Sequence, residues 1–210
     1  MNNIDKIKKY YNFYLKKYKK GPKAVNWKSK KSQEIRFEKI FEAGNFNNKK
    51  IHDVGCGLAH FYEFLKNKKI KFTYTGSDIS REMIEHAKNK VLNKKINLLN
   101  INFLEINNKK ILKKLSSDFV VANGLFTVKA NLSNKYWWLF IRKMLKKMFY
   151  ITEECLVFNC MKMNVDYKDK HLYYQSIEKL LKFIEKNLSK TIVVKQDYPL
   201  YEFMVYVYKK

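Results

Sequence analysis

The stretch IHDVGCGLA at residues 51–59, together with YTGSDI at residues 74–79, decides the fold of this chain. An apolar strand runs into a turn with two glycines, a helix follows, and a second apolar strand ends on Asp78. Asp78 lies 21 residues beyond Gly57, the spacing at which a β-α-β unit presents a carboxylate to a ribose. The sequence therefore predicts a nucleoside-binding unit in which two glycines and one acid hold an adenosine.

The glycine turn departs from the fingerprint of dinucleotide-binding folds. That fingerprint, G-x-G-x-x-G, needs glycine at the position of His60, and such folds usually keep an apolar residue where this chain has Asp53. An acid, a small apolar residue, Gly-x-Gly and a small residue is instead the pattern of class I S-adenosylmethionine-dependent methyltransferases. Residues 53–57 and 76–80 resemble the first two motifs of that family closely, with Ala59 where many members carry a further glycine. The implied cofactor is S-adenosyl-L-methionine, with S-adenosylhomocysteine as the product.

Strands and helices alternate along the chain, which predicts an α/β fold with a parallel sheet and helices on both faces. Two final strands with no helix between them predict one antiparallel edge strand, as in the Rossmann-like class I methyltransferase fold. A single structural domain is expected, with an N-terminal helical extension or lid at 1–45 and the methyltransferase domain at 46–210. The expected strands lie near residues 50–54, 70–77, 96–101, 118–122, 155–161, 191–197 and 201–208, and the expected helices near 4–18, 31–43, 58–67, 80–90, 134–149 and 173–188.

The composition indicates a folded intracellular protein. Its 210 residues are 46% hydrophobic and 16% aromatic, enough to bury a core. No apolar run approaches the roughly 18 residues of a membrane span, and the N-terminus lacks the apolar core of a secretory signal. Cys56, Cys155 and Cys160 show no metal-ligand spacing. We therefore expect a cytoplasmic location, reduced thiols, no transmembrane segment and no metal.

The formal net charge of +25 points to anionic partners. However, the 44 basic residues include only three arginines (Arg36, Arg81 and Arg142), and proteins that read nucleic acid usually exploit the planar fork of arginine. The lysines are scattered as pairs, which favours a solvated surface over a binding face. A nucleic acid partner is thus possible but not favoured, and the charge favours an anionic acceptor.

In an open parallel sheet the ligand lies beyond the carboxyl ends of the strands, so the residues that follow each strand are the candidates for the site. The resemblance implies that Gly55, Cys56 and Gly57 let the methionine part of the cofactor approach the backbone closely. We expect Asp78 to accept hydrogen bonds from both ribose hydroxyls and Ile79 to lie against the adenine.

Three further candidates follow the next two strands. Asn102 stands where the family usually carries an aspartate at the adenine edge, and Phe103 is expected to offer its backbone amide to the ring. Asn123 is expected to line the transferred methyl group, with a turn asparagine as the alternative. Residues 123–126 match neither Asn/Asp-Pro-Pro-Tyr nor a Pro-Cys nucleophile, which argues further against methylation of nucleic acid bases.

Residues 21–37 and 197–203 resemble segments of one group of small bacterial methyltransferases, and in related enzymes the lead segment folds over the cofactor. The resemblance implies that Arg36 grips the methionine carboxylate and that Trp27 closes the pocket. Core packing is the alternative for Trp27. The basic amphipathic helix at 4–18 is expected to pack as a lid or brace rather than to lie on a membrane.

These features predict a methyltransferase that acts on oxygen or nitrogen of a small, anionic metabolite such as a sugar nucleotide. The alternatives are an RNA or protein methyltransferase and a non-catalytic cofactor-binding partner subunit. No catalytic residue stands out: His60 and His171 are candidate bases, but a core or exposed histidine is the simpler interpretation of each. The sequence leaves the acceptor atom and the oligomeric state open.

Overall fold

The computed structural model describes residues 3–90 and 96–209. The apolar spacing of the helix expected near 80–90 also predicts Val91 on its inner face, and that residue lies outside the described ones. The strands are β1 (Lys49–Val54), β2 (Phe72–Asp78), β3 (Ile96–Asn100), β4 (Ser117–Ala122), β5 (Thr152–Lys162), β6 (Tyr174–Gln175), β7 (Ile192–Lys195) and β8 (Glu202–Tyr208). The helices are α1 (Asn3–Tyr18), α2 (Lys30–Phe41), α3 (His60–Asn67), α4 (Arg81–Lys90), α5 (Lys109–Lys113), α6 (Asn134–Ile151) and α7 (Ile177–Asn187), with 3₁₀ turns at Pro22–Val25 and Phe103–Glu105.

The strands form one mostly parallel sheet in the order β3-β2-β1-β4-β5-β8-β7, with β6 beside the end of β5. Among the described strands, β8 runs antiparallel to its neighbours β5 and β7. The predicted α/β parallel sheet with one antiparallel strand is confirmed, but the antiparallel strand β8 lies one position in from the edge strand β7. The chain moves outward from β1 in one direction and from β4 in the other, which leaves a crevice beyond the carboxyl end of β1.

Helices cover both faces of the sheet, as predicted. One buried cluster joins the sheet to α2, α3 and α4, with Phe46 stacked on Phe119 at 4.0 Å between ring centroids. The other cluster joins it to α5, α6 and α7 and includes the fully buried Trp137 and Ile184. Hydrophobic burial on two faces explains why β4, β5 and β8 contain nearly continuous apolar runs.

The apolar face of α1 packs on the protein's own domain. Leu15 is 4% exposed and clusters with Leu58 and Met83, while Ile7 packs against the cluster around α6. The face that a membrane-surface helix would leave free is therefore covered. No helix in residues 3–90 and 96–209 combines the length and apolar character needed to cross a bilayer.

The expectation of a helix from about residue 173 is wrong in its first turn. Tyr174 and Gln175 pair with the end of β5 as β6, and the helix begins only after Ser176, whose side chain accepts a hydrogen bond from the Lys179 amide at 3.2 Å. The five-residue helix α5 was not predicted either, because its lysine-rich sequence carries no apolar periodicity long enough to read.

Candidate functional site

A cavity lies in the crevice beyond the carboxyl ends of β1, β2, β3 and β4. Residues of α1, α2, α3, the 3₁₀ turn before Trp27 and the first half of α6 also line it. Apart from Arg36, the predicted cofactor residues all line it: Trp27, Gly55, Cys56, Gly57, Asp78, Ile79, Asn102, Phe103 and Asn123. The rule that places ligands at the switch point of an open sheet therefore selects side chains that lie together in space.

The carboxylate of Asp78 connects the glycine turn to the start of α4. The turn has φ values of +79° at Gly55 and +51° at Gly57, which glycine adopts without strain. Asp78 Oδ2 accepts from the N–H of Gly57 (2.9 Å) and Oδ1 accepts from the N–H of Ser80 (2.8 Å). Burial raises the pKa of Asp78, and hydrogen bonds from the backbone amides of Ser80, Gly57 and Ile79 oppose that rise. A carboxylate has about four lone-pair sites, so Asp78 can still accept from a ligand hydroxyl.

A second carboxyl, Asp53, lines the same cavity. The hydroxyl of Tyr74 donates to Asp53 Oδ2 at 2.6 Å, and both side chains are buried. Burial raises the pKa of Asp53 to about 7, against the hydrogen bond from Tyr74 and with the support of the nearby Asp78 charge. Asp53 therefore changes charge in the neutral pH range, a property that its place in a sequence motif does not reveal.

The residues after β3 and β4 differ in what they offer a ligand. Asn102 Oδ1 accepts from the N–H of Leu104 at 3.2 Å and so caps the 3₁₀ turn. The ring of Phe103 is buried and meets His52 edge-on at 5.7 Å. Asn123 Oδ1 is buried and has no hydrogen-bond partner among the described residues. A buried acceptor without a donor costs free energy, so Asn123 is poised for a donor on a ligand.

Arg36 departs from its expected place, because it lies outside the cavity lining and already binds a carboxylate of the protein. Its Nε donates to Glu202 Oε2 at 2.8 Å and its Nη2 donates to Glu202 Oε1 at 2.5 Å. Its Nη1 donates to the carbonyl of Ser32 at 2.6 Å. In the structure a buried ion pair engages the guanidinium that was expected to grip the cofactor carboxylate. The sequence did not identify this partner, because Glu202 lies 166 residues away at the start of β8.

Trp27 is held between Arg36 and the turn after β4. The guanidinium carbon of Arg36 lies 4.0 Å from the centroid of the Trp27 ring, a cation–π contact. On the other side, a Cβ atom placed on Gly124 would lie 2.5 Å from Cζ2 of the indole. Trp27 is only half-buried and lines the cavity, so the structure places it at a wall of the cavity rather than in the core.

Gly124→Ala is expected to displace Trp27 and to lower the free energy of unfolding by about 1–2 kcal/mol from backbone strain alone. Gly124 has φ +79°, a left-handed conformation, and the added methyl would overlap a rigid ring. Urea unfolding measures the loss, and iodide quenching of tryptophan emission reports the exposed indole. Gly21→Ala is the matched control, because Gly21 has φ +76° and open space around its Cβ position. Equal quenching in both variants would contradict the expectation.

The two candidate histidines occupy different environments. His60 lines the cavity, and its Nδ1 lies 3.1 Å from Gln33 Nε2. Burial and the charge of Lys90 lower the pKa of His60 to about 4, so its ring is neutral at pH 7. His171 lies outside the lining and stacks on Tyr10 at 6.1 Å. Across the described ranges 3–90 and 96–209, no cluster of His, Cys, Asp or Glu is arranged to hold a metal ion.

Sequence reasoning missed the lining residues that belong to helices. Most of them belong to an apolar helical face, which by itself indicates core packing. Only the placement of α1 and α6 over the crevice turns part of each face toward the cavity. The missed residues include Ile4, Ile7, Lys8 and Tyr11 of α1, Gln33 and Phe37 of α2, and Tyr136, Phe140 and Met144 of α6.

The polar groups of the cavity suit S-adenosylmethionine. Asp78 offers carboxylate oxygens for a ribose, and the glycine turn lets a ligand approach the backbone. Asp53 supplies a titrating carboxyl that matches an ammonium group, and Asn123 supplies an unpaired acceptor. Apolar side chains from α1 and α6 provide a surface for a flat ring.

Comparisons of sequence point in the same direction. A protein-family model described as a methyltransferase domain matches residues 52–147. A protein of Mycobacterium tuberculosis with the name "Putative methyltransferase" is 29% identical over 161 residues, which make up 76% of this chain and 92% of that protein.

Solved structures share the fold. The magnesium protoporphyrin IX methyltransferase of Synechocystis with bound S-adenosylmethionine has a TM-score of 0.68 at 13% identity, covering 100% of this chain and 98% of that one. The N-methyltransferase NodS of Bradyrhizobium japonicum has a TM-score of 0.60 at 13% identity, covering 87% of this chain and 98% of that one. At such identities the likeness is one of fold.

Proposed function

Because the chain belongs to the class I S-adenosylmethionine-dependent methyltransferases, we propose that it methylates oxygen or nitrogen of a small, anionic acceptor such as a sugar nucleotide. The observation that carries the proposal is the crevice in which Asp78, the glycine turn and the unpaired Asn123 oxygen line one cavity. The +25 charge of the chain attracts anions, and Lys8 is the lysine that lines the cavity within the described residues.

The residues of the chain bind and orient, while the cofactor, when bound, supplies an electrophilic methyl group on a sulfonium. Asp78 accepts hydrogen bonds from the ribose, and the bare backbone of the glycine turn leaves room for the methionine part. Asn123 Oδ1 accepts a hydrogen bond beside the acceptor nucleophile. Trp27 excludes water from that end of the cavity. In-line transfer gains most from such positioning and desolvation.

We expect S-adenosylmethionine to bind more weakly as the pH falls below about 7. The pKa of Asp53 is raised to about 7 by burial, so protonation below that value removes the carboxylate that faces the cofactor ammonium. Tyr74→Phe removes the hydrogen bond that favours the carboxylate, and the loss of affinity should then begin at a higher pH. Calorimetric titrations across the neutral range measure both effects.

The raised pKa of Asp53 affects the stability of the fold in the opposite direction from its effect on cofactor affinity. Because the folded state holds the Asp53 proton more tightly than the unfolded chain does, its contribution favours folding at low pH and is lost as pH rises toward about 7.

Tyr208→Phe is the control for the effect of Tyr74→Phe on cofactor affinity, since the Tyr208 hydroxyl donates to the Ala43 carbonyl outside the cavity. A pH profile of cofactor affinity that is flat, or identical in the Tyr74 and Tyr208 variants, would contradict the role of Asp53.

The N-terminal segment at 1–45 serves in this proposal as a lid on the methyltransferase domain at 46–210. Support comes from α1, which supplies Ile7 and Tyr11 to the cavity lining, and from Trp27 beside the turn after β4. The cysteines Cys56, Cys155 and Cys160 are unpaired and buried, which supports a reducing, cytoplasmic location.

The acceptor class is tested with S-adenosylmethionine that carries a radiolabelled methyl group. The protein is incubated with three fractions of a cell extract: small metabolites, RNA and protein. Asp78→Ala serves as the inactive control, and Asp118→Ala, which alters a carboxylate at the opposite end of the sheet, serves as the active one. Label that enters an anionic compound of the small-metabolite fraction is the expected result.

Label in another fraction overturns the acceptor assignment. Transfer to RNA, with binding that weakens steeply as salt rises, identifies an RNA methyltransferase. Transfer to protein identifies a protein methyltransferase. Cofactor binding without transfer to any fraction identifies a non-catalytic partner subunit.

A further inference from the structure

A closed ring of buried contacts connects the two ends of the chain at the cavity wall. Trp27 stacks on Arg36, and Arg36 binds Glu202 through two parallel hydrogen bonds. Asn159 Nδ2 donates to Glu202 Oε2 at 2.6 Å, and Asn159 Oδ1 accepts from the N–H of Gly124 at 2.6 Å. Gly124 completes the ring because it lies directly against the Trp27 indole.

The polar members of this ring are almost inaccessible to solvent. Arg36 is 7% exposed, Glu202 is 2% exposed and Asn159 is fully buried. A buried ion pair is weak evidence for stability, because apolar residues of the same volume often serve as well or better. What the ion pair adds is direction: the fork of the guanidinium faces the Glu202 carboxylate, while the guanidinium carbon lies 4.0 Å from the centroid of the Trp27 ring.

We propose that Arg36, Glu202 and Asn159 are positioning residues that hold Trp27 against Gly124 and thereby pre-form the cofactor cavity beside Asn123. The inference rests on the proposed role of that cavity. Asn159 accepts a hydrogen bond from the amide of Gly124, the residue after Asn123. This contact fixes the backbone that carries the unpaired Asn123 oxygen. Holding the wall in place before the ligand arrives removes an ordering cost from binding.

The test uses the whole protein labelled with 5-fluorotryptophan and S-adenosylmethionine as the probe. Trp27→Phe assigns the Trp27 resonance among the three tryptophans. The variant Arg36→Met/Glu202→Gln removes both charges and leaves no unpaired one buried. Its matched control is Lys39→Met/Asp197→Asn, which removes another ion pair (3.0 Å) between α2 and the segment before β8. Calorimetry gives cofactor affinity, and melting temperature reports stability.

We expect the Trp27 resonance of Arg36→Met/Glu202→Gln to broaden or split while those of Trp137 and Trp138 keep their positions. Cofactor affinity should fall by about tenfold, in line with the cost of a misplaced positioning group. Arg36→Lys, which keeps the charge but loses the fork, should show a smaller shift of the same resonance. The control variant should keep the wild-type spectrum and affinity.

Three results would overturn the proposal: an unaltered Trp27 resonance, unaltered affinity despite a mobile Trp27, or an equal loss of affinity in the control. These outcomes differ from a failure of the proposed function, in which the wild-type protein itself would bind no S-adenosylmethionine. A melting temperature that falls equally in both double variants, with affinity falling in step, would reduce the ring to a structural role.

Discussion

Arg36→Met is expected to lower the free energy of unfolding by about 3–5 kcal/mol, because it leaves the carboxylate of Glu202 buried without its cation. Glu202 is 2% exposed, and its remaining partner among the contacts described above is the amide of Asn159. Losing a fork of two hydrogen bonds at 2.5 and 2.8 Å also leaves the Trp27 ring without its stacked neighbour.

A double-mutant cycle separates the ion pair from the cost of an unpaired charge. Urea unfolding followed by circular dichroism measures each variant. Arg36→Met/Glu202→Gln should recover much of the stability lost in Arg36→Met, since no buried charge remains alone. Lys182→Met is the exposed counterpart: its ion pair with Glu178 is at the surface, where solvent screens it, so its removal should cost little stability. A loss near that of Lys182→Met would show that Glu202 is readily hydrated.

Asp78→Ala is expected to weaken S-adenosylmethionine binding by about 1–3 kcal/mol or more, which is about fivefold to more than a hundredfold. Two ribose hydroxyls would lose a charged acceptor. The N–H groups of Gly57 and Ser80 would also lose the carboxylate that holds the glycine turn to the start of α4. Both the ligand contact and the shape of the turn are therefore affected.

Calorimetry measures the change in affinity, with Asp118→Ala as the matched control. Asp118 also accepts a backbone hydrogen bond (2.7 Å from the Lys50 amide), but at the start of β4, away from the cavity. Equal affinity in the Asp78 variant and the wild type would place the nucleoside elsewhere. Loss of affinity in both variants would indicate a general loss of structure.

Parts of the fold and of the site could be predicted from local sequence wherever backbone geometry or burial restricts the type of residue. The glycine turn and Asp78 were readable because left-handed φ values select glycine and because the length of a β-α-β unit fixes the spacing. The strands β4, β5 and β8 were readable because burial on both faces makes most of their residues apolar. The mostly parallel order of the sheet then followed from the alternation with helices.

Arg36 shows the limit of that approach. The residue was recognised as important, but its partner was not, because Glu202 lies on the strand that returns antiparallel between β5 and β7. A charge on a helix indicates no partner until the fold brings one within hydrogen-bond distance. The same holds for Asp53, whose raised pKa depends on burial beside Tyr74 and Asp78.

The sequence by itself determined the cofactor class and the switch point, since both depend on short-range patterns in one β-α-β unit. Only the tertiary structure decided which helical faces close the cavity, that Trp27 lies against Gly124, and that Arg36 pairs with Glu202. The physical reason is range. Backbone strain and strand burial act within a few residues, whereas side-chain pairing and closure of the cavity depend on segments that are far apart in the sequence.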